Sequence, residues 1–322
     1  MKCIFLLSGE NLDMAREEVL ALAGTQDYWQ FENILVVDCD FRFDRLALTH
    51  KVYEYLFACD YKDLNREMAG FDWKKVYRKN FSLRITNIGD IHIPDKEAEL
   101  ARFIWNKIQE PRVDLKHSVT RIEVIVTEDR IIVGKVLKEM HHEFHKRRPQ
   151  HRPEHHPTSI DPKIARACVN LTGIPVGKVL VDPFCGTGGI MIEAGLMRFN
   201  TVGYDISDKM LKKCEKNLDY FKIKRFHLEN RDSTHLNNLV DYVVTDLPYG
   251  KASHLTAEPD KLYKDFLKVL WKILRYKAVV IFPSTLDHRK LLNDTNFIVE
   301  NEFEIYVHKS LTRYIVVLSK PE

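Results

Sequence analysis

The first part of the chain alternates between short apolar runs and an amphipathic stretch of helical spacing. KCIFLLS and NILVVDCD are typical of strands, whereas LDMAREEVLALAG repeats apolar residues with helical spacing and stops at Gly24. We expect FDRLALTHKVYEYLF to form a second helix, because it also carries an apolar stripe. A strand–helix–strand–helix order of this size predicts a small α/β unit whose sheet is covered on one face.

The pattern then continues towards a break in the middle of the chain. FSLRITNI is followed by the predicted helix DKEAELARFIWNKIQE, and VTRIEVIVTEDRIIVGKVL predicts two strands joined at TEDR as a hairpin. The stretch HHEFHKRRPQHRPEHHP lacks apolar periodicity and contains three prolines, which predicts an extended basic connector. Its histidines do not have the spacing of a zinc site and no cysteine joins them, so we expect no metal.

From Asp161 onward the pattern becomes a regular series of strands and helices. Asp161 as N-cap, Pro162 at the first helical position and Gly173 at the end delimit the first helix. Five strands are predicted in KVLVDPF, NTVGYDIS, RFHLENRD, VDYVVTDLP and KAVVIFPS, with helices in GGIMIEAGLMR, DKMLKKCEKNLDYF and PDKLYKDFLKVLWKIL. The final FIVENEFEIYVHKSLTRYIVVLSK predicts an antiparallel pair.

These patterns predict an α/β protein of two regions. An N-terminal α/β region would cover residues 1–143, a basic linker residues 144–160, and a second α/β domain residues 161–322.

Composition fits a globular protein that buries a core. The 322 residues are 45% hydrophobic and 30% charged, and no apolar run is long enough for a membrane span. The start MKCIFLLSGENLDMAREEVL does not resemble a signal peptide, and the six cysteines form no C-x-x-C pair, which favours a reducing, cytoplasmic setting. The net charge of +3 hides an acidic start and a basic middle, compatible with a phosphate-rich partner or with an ordinary solvated surface.

Four aspartates fall at the ends of successive predicted strands in the second half: Asp182, Asp205, Asp232 and Asp246. In an open parallel sheet, ligands bind at the carboxyl ends of the strands. One such aspartate is as compatible with a helix cap or a turn as with a ligand contact. Four in series would converge on one crevice, so we expect a binding site there.

The turn VDPFCGTGG follows the first of these strands. Its glycines let the backbone approach a ligand, and a dinucleotide is one candidate because Asp205 lies near the position of a ribose-binding acid. Asp182, directly before the glycines, would repel a pyrophosphate but would favour a ligand with positive sulfonium and ammonium groups. No Gly-Lys-Ser/Thr follows, so the turn is not a phosphate P-loop.

These motifs, taken together, resemble those of class I methyltransferases, which use S-adenosylmethionine. The shared features are Asp-x-Phe-x-Gly-x-Gly, acids that end the second and third strands, Asp-x-Pro-Tyr at the end of the fourth, and the closing antiparallel pair. The resemblance implies that Asp205 accepts hydrogen bonds from the ribose hydroxyls and Asp232 one from the adenine amino group. The complete cofactor site would be Asp182, Phe184, Gly186, Thr187, Gly188, Asp205 and Asp232.

The sequence DLPY resembles the Asn/Asp-Pro-Pro-Tyr/Phe motif of amino-methyltransferases, which methylate exocyclic nitrogens of bases. By that resemblance Asp246 and the carbonyl of Leu247 would accept the N–H groups of the amine, and Asp246 would take the departing proton. Pro248 would orient that carbonyl, and Tyr249 would offer a flat face for the base. Leu247 departs from the family, which often has proline there and so a more restrained backbone.

The N-terminal half points to RNA. VDLKHSVTRIEVIVTEDRIIVGKVL is similar to the end of a THUMP domain, an RNA-binding module of tRNA-modifying enzymes. FLLSGENLDMAREEV, HRPEHHPTSIDPKIARACVNLTG and HKSLTRYIVVL are similar to the archaeal tRNA guanine-10 N2-methyltransferase family. The resemblance implies a ferredoxin-like plus THUMP region that recognises the tRNA acceptor end, a Rossmann-like methyltransferase domain, and methylation of guanine N2.

Three alternatives stay open at this point. Related THUMP methyltransferases act on another tRNA guanine or on ribosomal RNA. A non-catalytic RNA-binding protein would have lost the acids that contact the ligand, and a nicotinamide-dependent oxidoreductase would bind NAD instead. The number of methyl groups added is also open.

Four basic residues of the linker would lie where RNA phosphates pass between the two regions: Lys146, Arg147, Arg148 and Arg152. A solvated connector is the alternative for them. For His308 and Arg313 in HKSLTRY, the resemblance indicates proximity to the site, while a structural role in the hairpin fits equally well. We expect a monomer that binds tRNA, with no membrane and no metal partner.

Overall fold

The computed structural model describes residues 1–156, 159–249, 259–308 and 311–321. The chain forms two compact units. The first consists of Met1–Arg16, Ala23–Asp44 and Leu48–His141, and the second of Glu17–Leu22, Arg45–Ala47 and His142–Glu322. Among the described residues, no helix combines the length and the apolar character needed to cross a membrane.

The first unit contains a seven-stranded sheet. Its strands are β1 (Lys2–Leu7), β2 (Tyr28–Phe31), β3 (Ile34–Asp38), β4 (Thr49–Cys59), β5 (Phe81–Asn87), β6 (Thr120–Val126) and β7 (Ile131–Glu139). The spatial order is β2-β3-β1-β4-β7-β6-β5, and all these neighbours are antiparallel except the parallel pair β5 and β6. The hairpin predicted across TEDR is confirmed as β6 and β7.

Three helices accompany these strands along the chain: α1 (Leu12–Ala23), α2 (Leu64–Gly70) and α3 (Glu97–Trp105). Leu64 and Met68 of α2 and Leu100 and Ile104 of α3 pack into one buried cluster with strands β5 to β7. The short elements β2 and α2 are not among the predicted elements, because four and seven residues are too few to show a clear period. The helix predicted after β5 is confirmed as α3, which ends five residues earlier than predicted.

The prediction of a helix in FDRLALTHKVYEYLF is wrong. Phe43–Arg45 form a single 3-10 turn, and β4 follows in the centre of the sheet between β1 and β7. Val52 and Tyr53 are fully buried although they are neighbours in sequence. Where neighbouring residues of a strand are both buried, apolar and polar residues need not alternate, so the pattern of β4 resembles a helical stripe. The β-branched and aromatic residues of this stretch suit a strand.

The second unit contains a doubly wound sheet. Its strands are β8 (Val179–Asp182), β9 (Asn200–Asp205), β10 (Phe226–Asn230), β11 (Val240–Asp246), β12 (Leu274–Pro283), β13 (Ile298–His308) and β14 (Leu311–Ser319). The order is β10-β9-β8-β11-β12-β14-β13, parallel from β10 to β12 and antiparallel from there. The predicted Rossmann-like fold with a closing antiparallel pair is confirmed. The turn predicted between the two strands of this pair falls on Lys309 and Ser310, which lie outside the described residues.

Five helices complete this unit: α4 (Pro162–Leu171), α5 (Gly189–Leu196), α6 (Asp208–Tyr220), α7 (Pro259–Ile273) and α8 (His288–Asn293). Asp161 caps α4 as expected, because its side chain accepts a hydrogen bond from the Lys163 amide at 2.9 Å. Helices α5 and α6 share one buried cluster with β10, while α7 and α8 share another with β11, β12 and β14. The strand order reverses between β8 and β11, which places a crevice at their carboxyl ends.

Candidate active site

A cavity of about 350 Å³ opens at this reversal. It brings together side chains from the carboxyl ends of four parallel strands and from the loops that follow them, including Asp182, Asp205, Asp232 and Asp246. Such a volume is in the range of small-molecule pockets. The crevice expected from four strand-end acids is therefore present in the second unit.

Asp182 is the most deeply buried of these acids, with 2% of its surface exposed. Its Oδ1 accepts hydrogen bonds from the Thr245 hydroxyl at 2.8 Å and the Phe184 amide at 3.2 Å. Burial raises the pKa of Asp182 to about 7, although both hydrogen bonds oppose that rise. Thr245 has no signal in the sequence, because its role depends on β11 lying beside β8.

The glycine turn between β8 and α5 contains two residues in left-handed conformation, Gly186 with φ +50° and Gly188 with φ +84°. Gly186 faces open space and lines the cavity, so the backbone is free to approach a ligand there. A Cβ on Gly188 would lie 2.7 Å from Cys214 Sγ, so this glycine is required by packing beneath the turn. Thr187 and Phe184 also line the cavity.

Asp205 and Asp232 are both engaged with the backbone around them. Asp205 Oδ2 accepts a hydrogen bond from the Gly186 amide at 3.0 Å and its Oδ1 one from Ser207 at 2.8 Å. Burial raises the pKa of Asp205. Asp232 also loses solvent, but its hydrogen bonds from Thr234 hold the pKa below the ordinary range. Through the hydrogen bond from the Gly186 amide, Asp205 connects the end of β9 to the glycine turn.

Asp246, at the end of β11, is held in a closed set of polar contacts. Tyr249 donates its hydroxyl to Asp246 Oδ1, and Arg313 Nη2 lies 3.1 Å from Asp246 Oδ2. Arg313 Nε donates to the Tyr249 hydroxyl at 2.7 Å. Burial raises the pKa of Asp246, and Arg313 opposes that rise. The sequence left open whether Arg313 lies near the site; the structure places it in direct contact with two cavity residues, whereas His308 is exposed at the end of β13.

The backbone of the same loop is fixed on both sides of Pro248. The Leu247 amide donates to the Ile281 carbonyl at 3.1 Å, and the Leu247 side chain is fully buried. The Tyr263 hydroxyl of α7 donates to the Pro248 carbonyl. These contacts restrain the backbone at Leu247, where the amino-methyltransferase motif that this loop resembles often has a proline. Gly250–Ser253, which follow in the motif, lie outside the described residues.

The four basic linker residues fall into two groups. Arg147 forms hydrogen bonds of 2.6 and 3.2 Å with the fully buried Glu193, and Arg152, only 5% exposed, donates to the Arg147 carbonyl at 2.8 Å. Their guanidinium groups are therefore committed to the interior rather than to an RNA surface. Lys146 and Arg148 are exposed, each beside a single carboxylate.

Comparison with known proteins assigns a family to this arrangement. A family model described as "RMKL-like, methyltransferase domain" matches residues 149–315, which include the whole cavity. A second model, described as "DNA methylase", matches residues 7–216 and ends before the Asp246 loop. TrmN from Thermus thermophilus superposes with a TM-score of 0.50 over 100% of both chains at 19% identity, which supports the fold alone.

Curated relatives extend over most of the chain. The tRNA (guanine(10)-N2)-dimethyltransferase of Methanothermobacter thermautotrophicus is 36% identical over 86% of this chain and 84% of its own length. The enzyme of the same name from Pyrococcus abyssi is 31% identical over 95% of this chain and 96% of its own length. On this similarity, the chain belongs to the archaeal tRNA (guanine(10)-N2)-dimethyltransferase family of methyltransferases.

Proposed function

We propose that the protein transfers methyl groups from S-adenosylmethionine to the exocyclic N2 of a guanine in tRNA, with position 10 as the target. The observation that carries this proposal is that the loop Asp246–Tyr249 lines the same cavity as three further acidic residues from the ends of neighbouring strands. The names of the relatives supply the substrate, and the loop supplies a chemical reason for an exocyclic amine.

The acidic residues of the cavity and its open glycine turn suit the proposed cofactor. S-adenosylmethionine supplies a methyl group on a positively charged sulfur and also carries an ammonium group. Asp182 lines the cavity at the start of the glycine turn, where its ionised form would favour a positively charged ligand, and Gly186 leaves room for close approach. Asp205 keeps unused lone pairs beyond its two backbone contacts, which suits ribose hydroxyls. Asp232 would accept from the adenine amino group.

The Asp246 loop would orient the amine. An exocyclic amine is a poor nucleophile because its lone pair is delocalised into the ring. Asp246 and the Leu247 carbonyl would accept its N–H groups, which favours a pyramidal nitrogen with its lone pair directed at the methyl group. Asp246 would then take the proton that leaves the methylated nitrogen. Tyr249 would stack on the base, with its ring held by the contacts of its hydroxyl.

For tRNA we propose a surface of the second unit that includes Lys146 and Arg148 of the linker, and we propose that the first unit, whose sequence resembles a THUMP domain, also binds RNA. Both side chains are more than half exposed and can reach phosphates. Arg147 and Arg152 are not part of this proposal, because their guanidinium groups are engaged in the interior.

The decisive experiment is incubation of unmodified tRNA with isotope-labelled S-adenosylmethionine, followed by mass spectrometry of nuclease fragments. We expect labelled N2-methyl- and N2,N2-dimethylguanosine at position 10, and no label in a transcript whose guanine 10 is replaced by adenine. Label at guanine 6 would support the activity named for a relative at 24% identity, and label at any other guanine would equally contradict position 10. Bound tRNA without label would support a non-catalytic RNA-binding protein.

A matched variant pair assigns the chemistry to the loop. Asp246→Ala should keep S-adenosylmethionine binding, measured as a rise in melting temperature, and lose methyl transfer. Asp241→Ala is the control, since Asp241 lies on the same strand and pairs with Lys178 and Arg275 at the opposite end. Near-normal turnover by Asp246→Ala would contradict the role of Asp246.

A further inference from the structure

Arg313 is a buried cation in contact with two side chains proposed to hold the substrate: Asp246, which would bind the amine, and Tyr249, which would stack on the base. Only 4% of its surface is exposed. It bonds Asp246 Oδ2 through Nη2 and the Tyr249 hydroxyl through Nε, while Tyr249 bonds Asp246 Oδ1. The three side chains therefore form a closed ring in which each holds the other two.

The closing antiparallel pair explains how Arg313 reaches the site. On β12, Ile281 pairs with Asp246 of β11 on one side and with Ile315 of β14 on the other. Arg313 lies two residues before Ile315 and opposite Pro283, the last residue of β12. A side chain long enough to pass over the end of β12 is needed to connect these two strands, and arginine also presents separate donors for two acceptors.

We propose that Arg313 is a positioning residue for methyl transfer: it keeps Asp246 ionised and fixes Asp246 and Tyr249 in the orientation that receives the amine. This inference rests on the proposed function. A carboxylate loses stabilisation when it is removed from water, and a paired guanidinium restores it. Each Asp246 oxygen is used once within the ring, so lone pairs are left on both for the substrate.

The other charged and titratable groups around Asp246 do not replace Arg313. Asp182 on β8 acts on Asp246 as a like charge, and Cys168 on α4 is a buried thiol whose pKa is raised by burial. Tyr249 is a neutral donor whose pKa is raised by burial. On α7, Lys261 and Asp265 line the same cavity with opposite charges. Without Arg313 the pKa of Asp246 would therefore rise further.

The test compares the pH dependence of kcat for the wild type, Arg313→Met and Arg313→Lys. Asp246 must be ionised to accept the proton, so activity falls on the acid side of its pKa. Removing an adjacent opposite charge raises a carboxyl pKa by about 1–3 units, so the acid limb of Arg313→Met should move up by that amount. Activity should be partly recovered at alkaline pH, and Arg313→Lys should show a smaller displacement.

Controls separate this effect from loss of the fold and from failure of the proposed function. Arg289→Met removes an arginine that pairs with Glu302 and is 75% exposed, and its pH profile should match the wild type. Melting temperature and S-adenosylmethionine binding show that each variant is folded, and Arg313→Lys serves where Arg313→Met does not fold. A wild-type chain without methyl transfer would refute the proposed function. An active wild type with variants whose acid limb is not displaced, including variants equally impaired at every pH, would overturn the inference about Arg313.

Discussion

The acidic residues of the cavity differ in how their contribution to the stability of the folded protein depends on pH. Asp182 has a folded-state pKa of about 7 instead of 3.8, so the folded protein holds this proton more tightly than the unfolded chain does. Its contribution to stability is therefore full below about pH 4 and is lost as pH rises towards about 7. Asp232 has the opposite sign, because its hydrogen bonds lower its pKa.

We predict that Asp182→Asn removes this pH dependence in the absence of cofactor. The amide oxygen can keep the hydrogen bonds from Thr245 and Phe184 without a charge. At pH 8 the variant should be more stable than the wild type, by up to ~4 kcal/mol at roughly 1.4 kcal/mol per pKa unit, and the gain should shrink at pH 5. Urea unfolding at both pH values measures the difference. An equal gain at the two would contradict the assignment.

The linker arginines and lysine lead to a second prediction at this scale. Lys146→Ala combined with Arg148→Ala should weaken tRNA binding and lower the salt dependence by about one unit of slope per lost phosphate contact, without a change in melting temperature. Arg147→Ala should lower the melting temperature, because it leaves the buried Glu193 with one partner fewer. Titration of tRNA at several salt concentrations tests the first part. A double variant with unchanged slope would remove these residues from the proposed surface.

At the residue scale, local sequence predicted some of this site and not the rest. That Asp182 and Asp246 line one crevice is predictable, because strand ends and glycine turns are local patterns and parallel strands bring their ends together. The contact of Arg313 with Asp246 spans 67 positions, and its register depends on β12 lying between them. The burial of Arg147 depends likewise on α5, 46 positions away. The sequence shows that Arg147 is basic, but it does not show that its side chain is directed into the interior.

Among the elements, the turn into α5 offers a test of backbone geometry against packing. Gly188 and Gly177 both have left-handed φ values, +84° and +90°. A Cβ on Gly177 would meet nothing within 4 Å, whereas on Gly188 it would lie 2.7 Å from Cys214 Sγ. We predict a cost of ~1 kcal/mol for Gly177→Ala from backbone strain, and ~1–3 kcal/mol more for Gly188→Ala from overpacking. Urea denaturation measures the free energy of unfolding of both variants. Equal losses would show that the Cys214 side chain moves aside for the new Cβ without a loss of stability.

Elements whose period is local were predicted best. The helices α1, α4 and α6 and the hairpin of β6 and β7 each carry caps or a clear period within one segment. The prediction for β4 is wrong because pairing with distant strands makes this segment a strand. Its neighbour β1 precedes it by about forty residues, and its neighbour β7 follows it by about seventy. A strand in which neighbouring residues are buried has no clear period of two that separates it from a helix, so tertiary pairing overrides the local pattern.

At the scale of the whole molecule, the sequence did not predict which segments belong to the second unit. Two short pieces of the first fifty residues, Glu17–Leu22 and Arg45–Ala47, are part of it. Within that unit Asn170 of α4 donates to Glu18 Oε1 at 2.6 Å and to the Arg45 carbonyl at 2.9 Å. Its own oxygen accepts from Arg45 Nε at 3.3 Å. No local pattern connects residues that are more than 120 positions apart.

This buried network gives a prediction about the stability of the second unit. Asn170 and Glu18 are fully buried, so Asn170→Ala would leave a carboxylate and a guanidinium with fewer partners away from water. We expect a loss of ~3 kcal/mol, since an unsatisfied buried polar group costs ~1–3 kcal/mol and charged groups cost more. Asn237→Ala is the matched control, because Asn237 is exposed and accepts a single hydrogen bond from Arg231. If both variants unfold at the same urea concentration, the network does not hold these early segments in the second unit.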